Sequence, residues 1–244
     1  MAGVTQTIIL AAGSGSRLGA ANGVPKPLME VGGVPLVGHA LRHARVSGCR
    51  EAVVVVGHEG ARVRSAVERM ASGLSVRFIT LPDASQPNGV SLLAAESLAL
   101  PQFFLQMVDH VFAQPVLPTL IASPLEPREG GRVLVDGVPS AHLDLDDATR
   151  VRLAGDRVVA IGKDVRPWDA IDAGCFVLTS AVFDALRRVA ATEPRTVSSG
   201  MRQLAARGAL SAVDLGGVEW ADVDTPADQE TAERLLLPVE QRTT

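Results

Sequence analysis

Two aspartates are the side chains of this sequence with the clearest potential for metal and phosphate chemistry. Asp109 directly follows the apolar run 103–108, and Asp224 lies in the segment WADVDTPAD. Ligands bind outside the carboxyl ends of the strands in an open α/β sheet, so an aspartate after a strand is placed for chemistry. Carboxylate oxygens are ligands that Mg²⁺ prefers, usually together with substrate phosphates. Asp224 also suits an N-terminal cap of the helix that Pro226 would begin, and the two roles are compatible.

A glycine-rich loop, 13–19, follows the first predicted strand and carries Arg17. Leu18 stands where G-x-G-x-x-G needs glycine, so the dinucleotide-binding fingerprint is excluded. The P-loop is excluded as well, because Lys26 follows a proline rather than a glycine. The remaining interpretations are a loop of small residues whose amides approach a phosphate chain, with Arg17 and Lys26 as nearby cations, or a plain turn.

The elements that would position these residues alternate between short apolar runs and helical patterns. This alternation predicts an α/β fold with a mostly parallel sheet and helices on both faces. The predicted strands are 7–12, 52–56, 76–80, 103–108 and 173–178, and the predicted helices are 36–47, 59–70, 90–98, 181–191, 198–207 and one after Pro226. The stretch from about 130 to 170 predicts a small inserted antiparallel sheet with a hairpin around Gly155 and Asp156. No repeat or linker divides the chain, so we expect a single domain over 1–244.

Composition excludes several classes of protein. The 244 residues carry 23 Lys+Arg against 27 Asp+Glu, and aromatic residues make up 3%, so no basic or aromatic surface favours nucleic acid. Cys49 and Cys175 are too few for a disulfide framework or a zinc site. The apolar runs are too short to span a membrane, and the first residues do not resemble a signal peptide. We therefore expect a soluble, cytoplasmic protein that is not membrane-spanning.

The segment LAAGSGSRLG, followed by PKPLMEVGGVPLVGHAL, resembles the signature of nucleotidyltransferases that join a nucleoside triphosphate to a sugar or alcohol phosphate. The resemblance implies the Rossmann-like nucleotidyltransferase fold. It implies that Arg17 contacts the β- and γ-phosphates, that Lys26 contacts the α-phosphate, and that Asp109 and Asp224 hold Mg²⁺. The implied nucleotide-binding residues at the first strand and its loop are Leu10, Ala11, Ala12, Gly13, Ser14 and Gly15.

Further segments resemble the CTP:inositol-1-phosphate cytidylyltransferase group within that family: PNGVSLLAA, QMVDHVF, DLDDATRVRLAGDRVVAIGKDV and DAGCFVL. The implied reaction joins CTP and inositol 1-phosphate into CDP-inositol and pyrophosphate. By this resemblance Asn88, Gly89 and Ser91 bind the nucleotide. The residues implied to face the acceptor are His110, Lys163, Asp172 and Gly174, and Lys163 is also assigned to catalysis. Many members carry a membrane-embedded CDP-alcohol transferase downstream, so we expect that enzyme to be a separate partner here.

Several alternatives stay open at this point. Lys163 also fits a solvated surface lysine, and His110 fits a cap of the strand end as well as an acceptor contact. Asp222 is a weaker candidate that would support the metal ligands. His39 and His43 are spaced as a metal pair on a helix, but no third ligand lies nearby in sequence.

The substrates and the assembly leave alternatives of their own. Another sugar, cyclitol or alcohol phosphate, or another nucleotide, would use the same chemistry. A non-catalytic nucleotide-binding module is the alternative from a different class, and the intact set of Arg17, Lys26, Asp109 and Asp224 argues against it. A homodimer is compatible with the apolar helices, since periodicity does not separate a core face from an interface.

Overall fold

The computed structural model describes residues 3–13, 23–57, 59–237 and 241. In chain order the strands are β1 (Gln6–Ala11), β2 (Glu30–Val31), β3 (Val34–Pro35), β4 (Glu51–Val56), β5 (Ser75–Thr80), β6 (Gln102–Met107), β7 (His110–Phe112), β8 (Gly131–Asp136), β9 (Arg150–Ala154), β10 (Arg157–Gly162), β11 (Ala170–Thr179), β12 (Leu210–Asp214) and β13 (Trp220–Asp222). The helices are α1 (Leu36–Val46), α2 (Gly60–Met70), α3 (Asn88–Ala94), α4 (Leu117–Leu120), α5 (Ala181–Arg187), α6 (Val197–Ala205) and α7 (Pro226–Leu236). Short 3₁₀ turns cover Lys26–Leu28 and Glu96–Leu98.

The central sheet confirms the predicted α/β class. Its nine strands in the described part of the chain run in the order β5-β4-β1-β6-β11-β8-β12-β10-β9, and β5, β4, β1 and β6 are parallel. Alternate residues of β1 enter different hydrophobic clusters, with Ile8 in one and Ile9 in the other. Helices therefore cover both faces, which is why β4 is apolar over nearly its whole length. No helix in the described ranges is long and apolar enough to cross a membrane.

The stretch from about 130 to 170 is antiparallel in part, as predicted. Strands β9 and β10 form the expected hairpin, with Gly155 in the left-handed region at φ 65°. These strands continue the central sheet, however, and do not form a sheet of their own. The cause is β11, which is ten residues long and irregular between Asp172 and Phe176. Its first residues pair with β9 and it also pairs with β8, so β11, β8, β12, β10 and β9 close into a ring, while its later residues join that ring to β6.

A two-stranded ribbon of β7 and β13 connects the two parts of the chain that carry the candidate metal ligands. His110 pairs with Asp222 in this ribbon, and the Val223 N–H donates to the Asp109 carbonyl oxygen at 3.0 Å. The ribbon therefore brings Asp109 and Asp224 to the same edge of the fold although they are distant in sequence. Neither three-residue strand has enough residues to produce a sequence pattern.

The start of α3 packs against the start of α6 at a glycine contact. The Asn88 side-chain oxygen accepts the Val197 N–H at 2.8 Å. A Cβ placed on Gly89 would overlap the Arg195 carbonyl oxygen and would lie 2.8 Å from the Thr196 carbonyl carbon. Real Cβ atoms do not approach backbone so closely, so only glycine fits here without a shift of the helices.

We therefore expect Gly89→Ala to lower the free energy of unfolding by about 1–3 kcal/mol, because backbone must move to admit the methyl group. Urea titration measures this change. Gly3→Ala is the control, since a Cβ there would meet nothing within 4 Å. Equal stability of the two variants would contradict the contact.

Candidate active site

A cleft of about 460 Å³ lies where the sequence places its candidate chemistry. The parallel strands β1, β4, β5 and β6 point their carboxyl ends to one edge of the sheet, and Asp109 follows the last of them. The predicted site residues that line the cleft are Asn88, Asp109, His110, Lys163, Asp172, Gly174 and Asp224. Asp222, the weaker candidate, lines it as well. The fold thus collects in one place side chains that are spread over much of the sequence.

Lys26 lies between the two predicted metal ligands. Its Nζ donates to Asp109 Oδ2 at 2.6 Å and to Asp224 Oδ1 at 2.5 Å, and the residue is 7% exposed. Burial alone would lower the pKa of a lysine, but the two carboxylates outweigh it and raise the pKa of Lys26 above its ordinary value. Although Asp109 is buried too, Lys26 and His110 hold the pKa of its carboxyl well below its usual range. The ammonium and the Asp109 carboxylate are therefore both charged at neutral pH.

His110 joins Asp109 to Asp222. Its Nδ1 lies 3.0 Å from Asp109 Oδ1 and 4.0 Å from Asp222 Oδ1. Burial opposes protonation of the ring, but Asp222 and Asp109 outweigh it and raise the pKa of His110 to about 9. The side chain is therefore a cation at neutral pH and its Nδ1–H donates to Asp109. Among the described residues, Asp222 Oδ1 has no hydrogen-bond partner.

The carboxylates suit a hard divalent cation such as Mg²⁺. Asp109, His110 and Asp222 each offer one ligand atom within 4.8 Å of the others, and Asp224 shares the Lys26 ammonium with Asp109. The aspartate oxygens are the donors that fit such a cation, since Mg²⁺ binds oxygen. Partial burial and the neighbouring carboxylates raise the pKa of Asp222, as expected where carboxylates crowd together.

The sequence itself contains a signal that places Asp222 beside Asp224 at the site. It precedes Asp224 by two residues, and side chains two apart on extended backbone lie on the same side. Trp220, at the start of the same strand, was missed as a site residue. Its ring stacks on His110 with centroids 5.2 Å apart, and its Nε1 donates to Asp136 Oδ2 at 2.8 Å.

Gly174 makes room for His110. Its φ of 72° favours glycine, and a Cβ there would lie 2.6 Å from His110 Nε2. The Gly174 N–H donates to Asp172 Oδ1 at 2.8 Å. Burial raises the pKa of Asp172 to about 6 in spite of that hydrogen bond. Gly174 and Asp172 therefore shape the wall against which His110 lies.

Lys163 lines the cleft from the ring of strands. Its Nζ forms an ion pair with Asp147, and 56% of its side chain is exposed. Lys163 is therefore solvated, as one sequence interpretation expects, and it also faces the cleft, as the other requires.

Apart from Asn88, which lines the cleft, the residues predicted to contact the nucleotide fall into three groups. Leu10, Ala11 and Ala12 are buried at the end of β1, and Gly13 is exposed with open space beside it. Gly89 and Ser91 are buried in α3. Ser14, Gly15 and Arg17 lie outside the described residues. The roles assigned to all of these residues stay predictions.

The raised pKa of Asp172 predicts a pH-dependent stability. The folded state binds the proton more tightly than the unfolded chain does, whose pKa is near 3.8, so the free energy of unfolding falls as pH rises from about 4 to about 6. Asp172→Asn removes this penalty and retains the acceptor for Gly174. We expect it to raise the free energy of unfolding by on the order of 1 kcal/mol at pH 8.

Urea titrations at about pH 5 and about pH 8 measure the effect, with a gain that shrinks at the lower pH. The matched control is Asp156→Asn in the exposed hairpin turn, which should show no such pH dependence. A gain that is equal at both pH values would contradict the assignment.

Comparison with known proteins shows the family to which the chain belongs. Residues 7–145 match the family model described as MobA-like NTP transferase domain. A bifunctional IPC transferase and DIPP synthase of Rubrobacter xylanophilus is 38% identical over 231 residues, which cover 94% of this chain and 51% of that protein. A CMP-5'-(3-aminopropyl)phosphonate synthase of Streptomyces rubellomurinus is 30% identical over 97% of this chain and 40% of its own length.

The chain spans about half the length of the curated relatives that it matches over nearly all of its own length. Among solved structures, the inositol-1-phosphate CTP transferase from T. maritima superposes with a TM-score of 0.84 at 24% identity, covering 96% of this chain and 97% of the other. That likeness shows the fold. The chain therefore belongs to the MobA-like NTP transferase family.

Proposed function

We propose that this chain transfers a cytidylyl group from CTP to inositol 1-phosphate, giving CDP-inositol and pyrophosphate. The observation that carries the proposal is the position of the buried Lys26 ammonium between Asp109 and Asp224, in a site whose cleft has Lys163 on another wall. A transfer between two phosphates needs one group of charges for the nucleotide and a second cation for the acceptor.

The reaction needs no general base from the protein. An oxygen of the acceptor phosphate, already ionised at neutral pH, attacks the α-phosphorus of CTP. The new bond joins that oxygen to the α-phosphorus, and the bond from the α-phosphorus to the bridging oxygen breaks with its electron pair leaving on pyrophosphate. Positioning and charge stabilisation supply the catalysis in such transfers.

Lys26 contacts the α-phosphate in this proposal, where its charge stabilises the transition state. Arg17 would neutralise the leaving pyrophosphate. Asp109 and Asp224 would hold Mg²⁺, with Asp222 beside them. When bound, the metal would supply positive charge to the phosphate oxygens and help to orient them. When the Lys26 ammonium moves from the carboxylates to the α-phosphate, its positive charge stays paired with negative charge.

The acceptor would lie between His110, Asp172 and Lys163. Two cations can pair with the acceptor phosphate, and a carboxyl can accept hydrogen bonds from ring hydroxyls. The names of relatives support an inositol phosphate: a bifunctional IPC transferase and DIPP synthase, and an inositol-1-phosphate CTP transferase of the same fold. A phosphonate acceptor is the second candidate, because a relative 30% identical is named a CMP-5'-(3-aminopropyl)phosphonate synthase.

We also propose that the enzyme acts in the cytoplasm. Its product would pass to a CDP-alcohol transferase activity, which would displace cytidine monophosphate from CDP-inositol. A homodimer remains a proposal that the oligomeric state in solution would test.

We expect pyrophosphate release with CTP and inositol 1-phosphate to exceed that of any other pair by at least tenfold. The measurement combines four nucleoside triphosphates with inositol 1-phosphate, 3-aminopropylphosphonate, phosphocholine and several sugar 1-phosphates, with Mg²⁺ and coupled detection. Preference for the aminopropylphosphonate would select the second candidate. Turnover with a sugar phosphate alone would overturn both acceptors, and binding of CTP without turnover of any pair would overturn catalysis of these transfers.

Asp109→Asn should lower kcat/KM by on the order of 10²-fold or more, because it removes a carboxylate that would hold the metal, whose positive charge would stabilise the transferring phosphate. Binding of Mn²⁺ in the presence of CTP, followed by electron paramagnetic resonance, should weaken in parallel. Asp156→Asn should change neither quantity. Unchanged Mn²⁺ binding in a folded Asp109→Asn protein would remove Asp109 from the metal site.

A further inference from the structure

The acceptor side of the cleft is formed by two loops of the ring of strands. One loop, 137–149, connects β8 to β9, and the other, 163–169, connects β10 to β11. The residues of these loops that line the cleft are His142, Leu143, Asp144, Asp147, Ala148, Thr149 and Lys163. Neither loop contains a helix or strand of its own, so the position of Lys163 depends on what holds the loops together.

Arg150 ties these two loops to each other. It is the first residue of β9 and is 5% exposed. Its Nη1 donates to the Lys163 carbonyl oxygen, and its Nη2 donates to the Leu145 carbonyl oxygen at 2.6 Å. The same Nη2 lies 3.8 Å from Asp146 Oδ1. One guanidinium therefore binds the backbone of both loops, one of them at the very residue whose side chain faces the cleft.

The other connection between the loops is weaker. The ion pair of Lys163 with Asp147 is exposed, with 56% and 41% of the two side chains accessible, and exposed ion pairs contribute little. That pair would also break when the Lys163 ammonium turns to a substrate. Arg166 reaches the Lys163 carbonyl too, at 3.3 Å, but from an exposed position. The buried guanidinium is the contact that persists whatever Lys163 binds.

The stability of the fold does not by itself explain why an arginine occupies position 150. Its Nε is buried with no hydrogen-bond partner in the part of the chain described, and burial of a cation with an unmet donor is unfavourable. Ile171, which pairs with Arg150 across β9 and β11, is buried and apolar, so an apolar residue would suit this position. Violations of packing rules of this kind are expected at functional sites.

We infer that Arg150 is a positioning residue for the acceptor subsite: it fixes the Lys163 backbone so that the Lys163 ammonium meets the acceptor phosphate. This inference rests on the proposed function. It assigns to Arg150 no contact with substrate, so its effect must pass through Lys163 and must fall on the acceptor rather than on the nucleotide.

The test measures KM for inositol 1-phosphate and for CTP in Arg150→Met, Lys163→Met and the double variant. We expect Arg150→Met to raise the acceptor KM by roughly tenfold, the size of one lost charged hydrogen bond, with the KM for CTP within about twofold. The double variant should be no worse than Lys163→Met, because the two residues act through one contact. Arg150→Lys keeps the charge but cannot bind both carbonyls through a fork, so it should give a smaller rise and stands in if Arg150→Met does not fold.

Arg152→Met is the matched control, since Arg152 lies on the same strand and is exposed. It should leave both KM values unchanged. Effects of Arg150 and Lys163 that add, or an equal rise in both KM values, would overturn the positioning role while the proposed function stands. Absence of turnover in the unaltered protein with inositol 1-phosphate and CTP would instead overturn the proposed function, and this inference with it.

Discussion

A buried ammonium shared by two carboxylates is the constraint on which the site depends. Lys26 is 7% exposed, and neither it nor Asp109 could be buried alone without a large loss of hydration energy. The turn after the glycine loop, the end of β6 and the approach to α7 must therefore meet at one point. The ribbon of β7 and β13 makes that meeting possible, because its backbone hydrogen bonds fix Val223 against Asp109. The contacts that fold this edge of the sheet are thus also the contacts that assemble the site.

Negative charge exceeds positive charge at one end of the cleft, and this excess bears on what the cleft can bind. Asp109, Asp222 and Asp224 crowd one end, opposed by Lys26 and by His110, whose pKa is raised to about 9 by the same carboxylates. A triphosphate entering this end would meet net repulsion from the protein alone. A divalent cation on the carboxylates would reverse the sign of that interaction, as in hard-metal sites for nucleotides generally. With such a cation bound, the acidic cluster would be compatible with the phosphates of the proposed substrates.

The sequence was sufficient to predict the individual helices and strands, but it was insufficient to predict how strands distant in sequence pair. Strands β1, β4 and β6 were predictable because both faces are buried and their apolar runs are nearly continuous. The hairpin of β9 and β10 was predictable from its turn. The closure of β9 onto β11 and the insertion of β12 beside β8 were not, since register between distant strands leaves no periodic signal. The same limit explains why Trp220, which supports His110 by stacking, was missed while Asp109 and Lys26 were identified by a family resemblance.

The two sides of the cleft differ in how they are built, and this difference bears on how acceptor choice can change. The proposed nucleotide side rests on the ends of parallel strands whose side chains fill both hydrophobic clusters, so a substitution there disturbs the core. The proposed acceptor side rests on two loops that both accept hydrogen bonds from the buried Arg150 guanidinium, with Gly174 leaving space for the His110 ring. Loops tolerate substitution at small cost to the fold. Under the proposed function, substitutions in the two loops would therefore change acceptor specificity at a smaller cost to the fold than substitutions beside Lys26, Asp109 and Asp224.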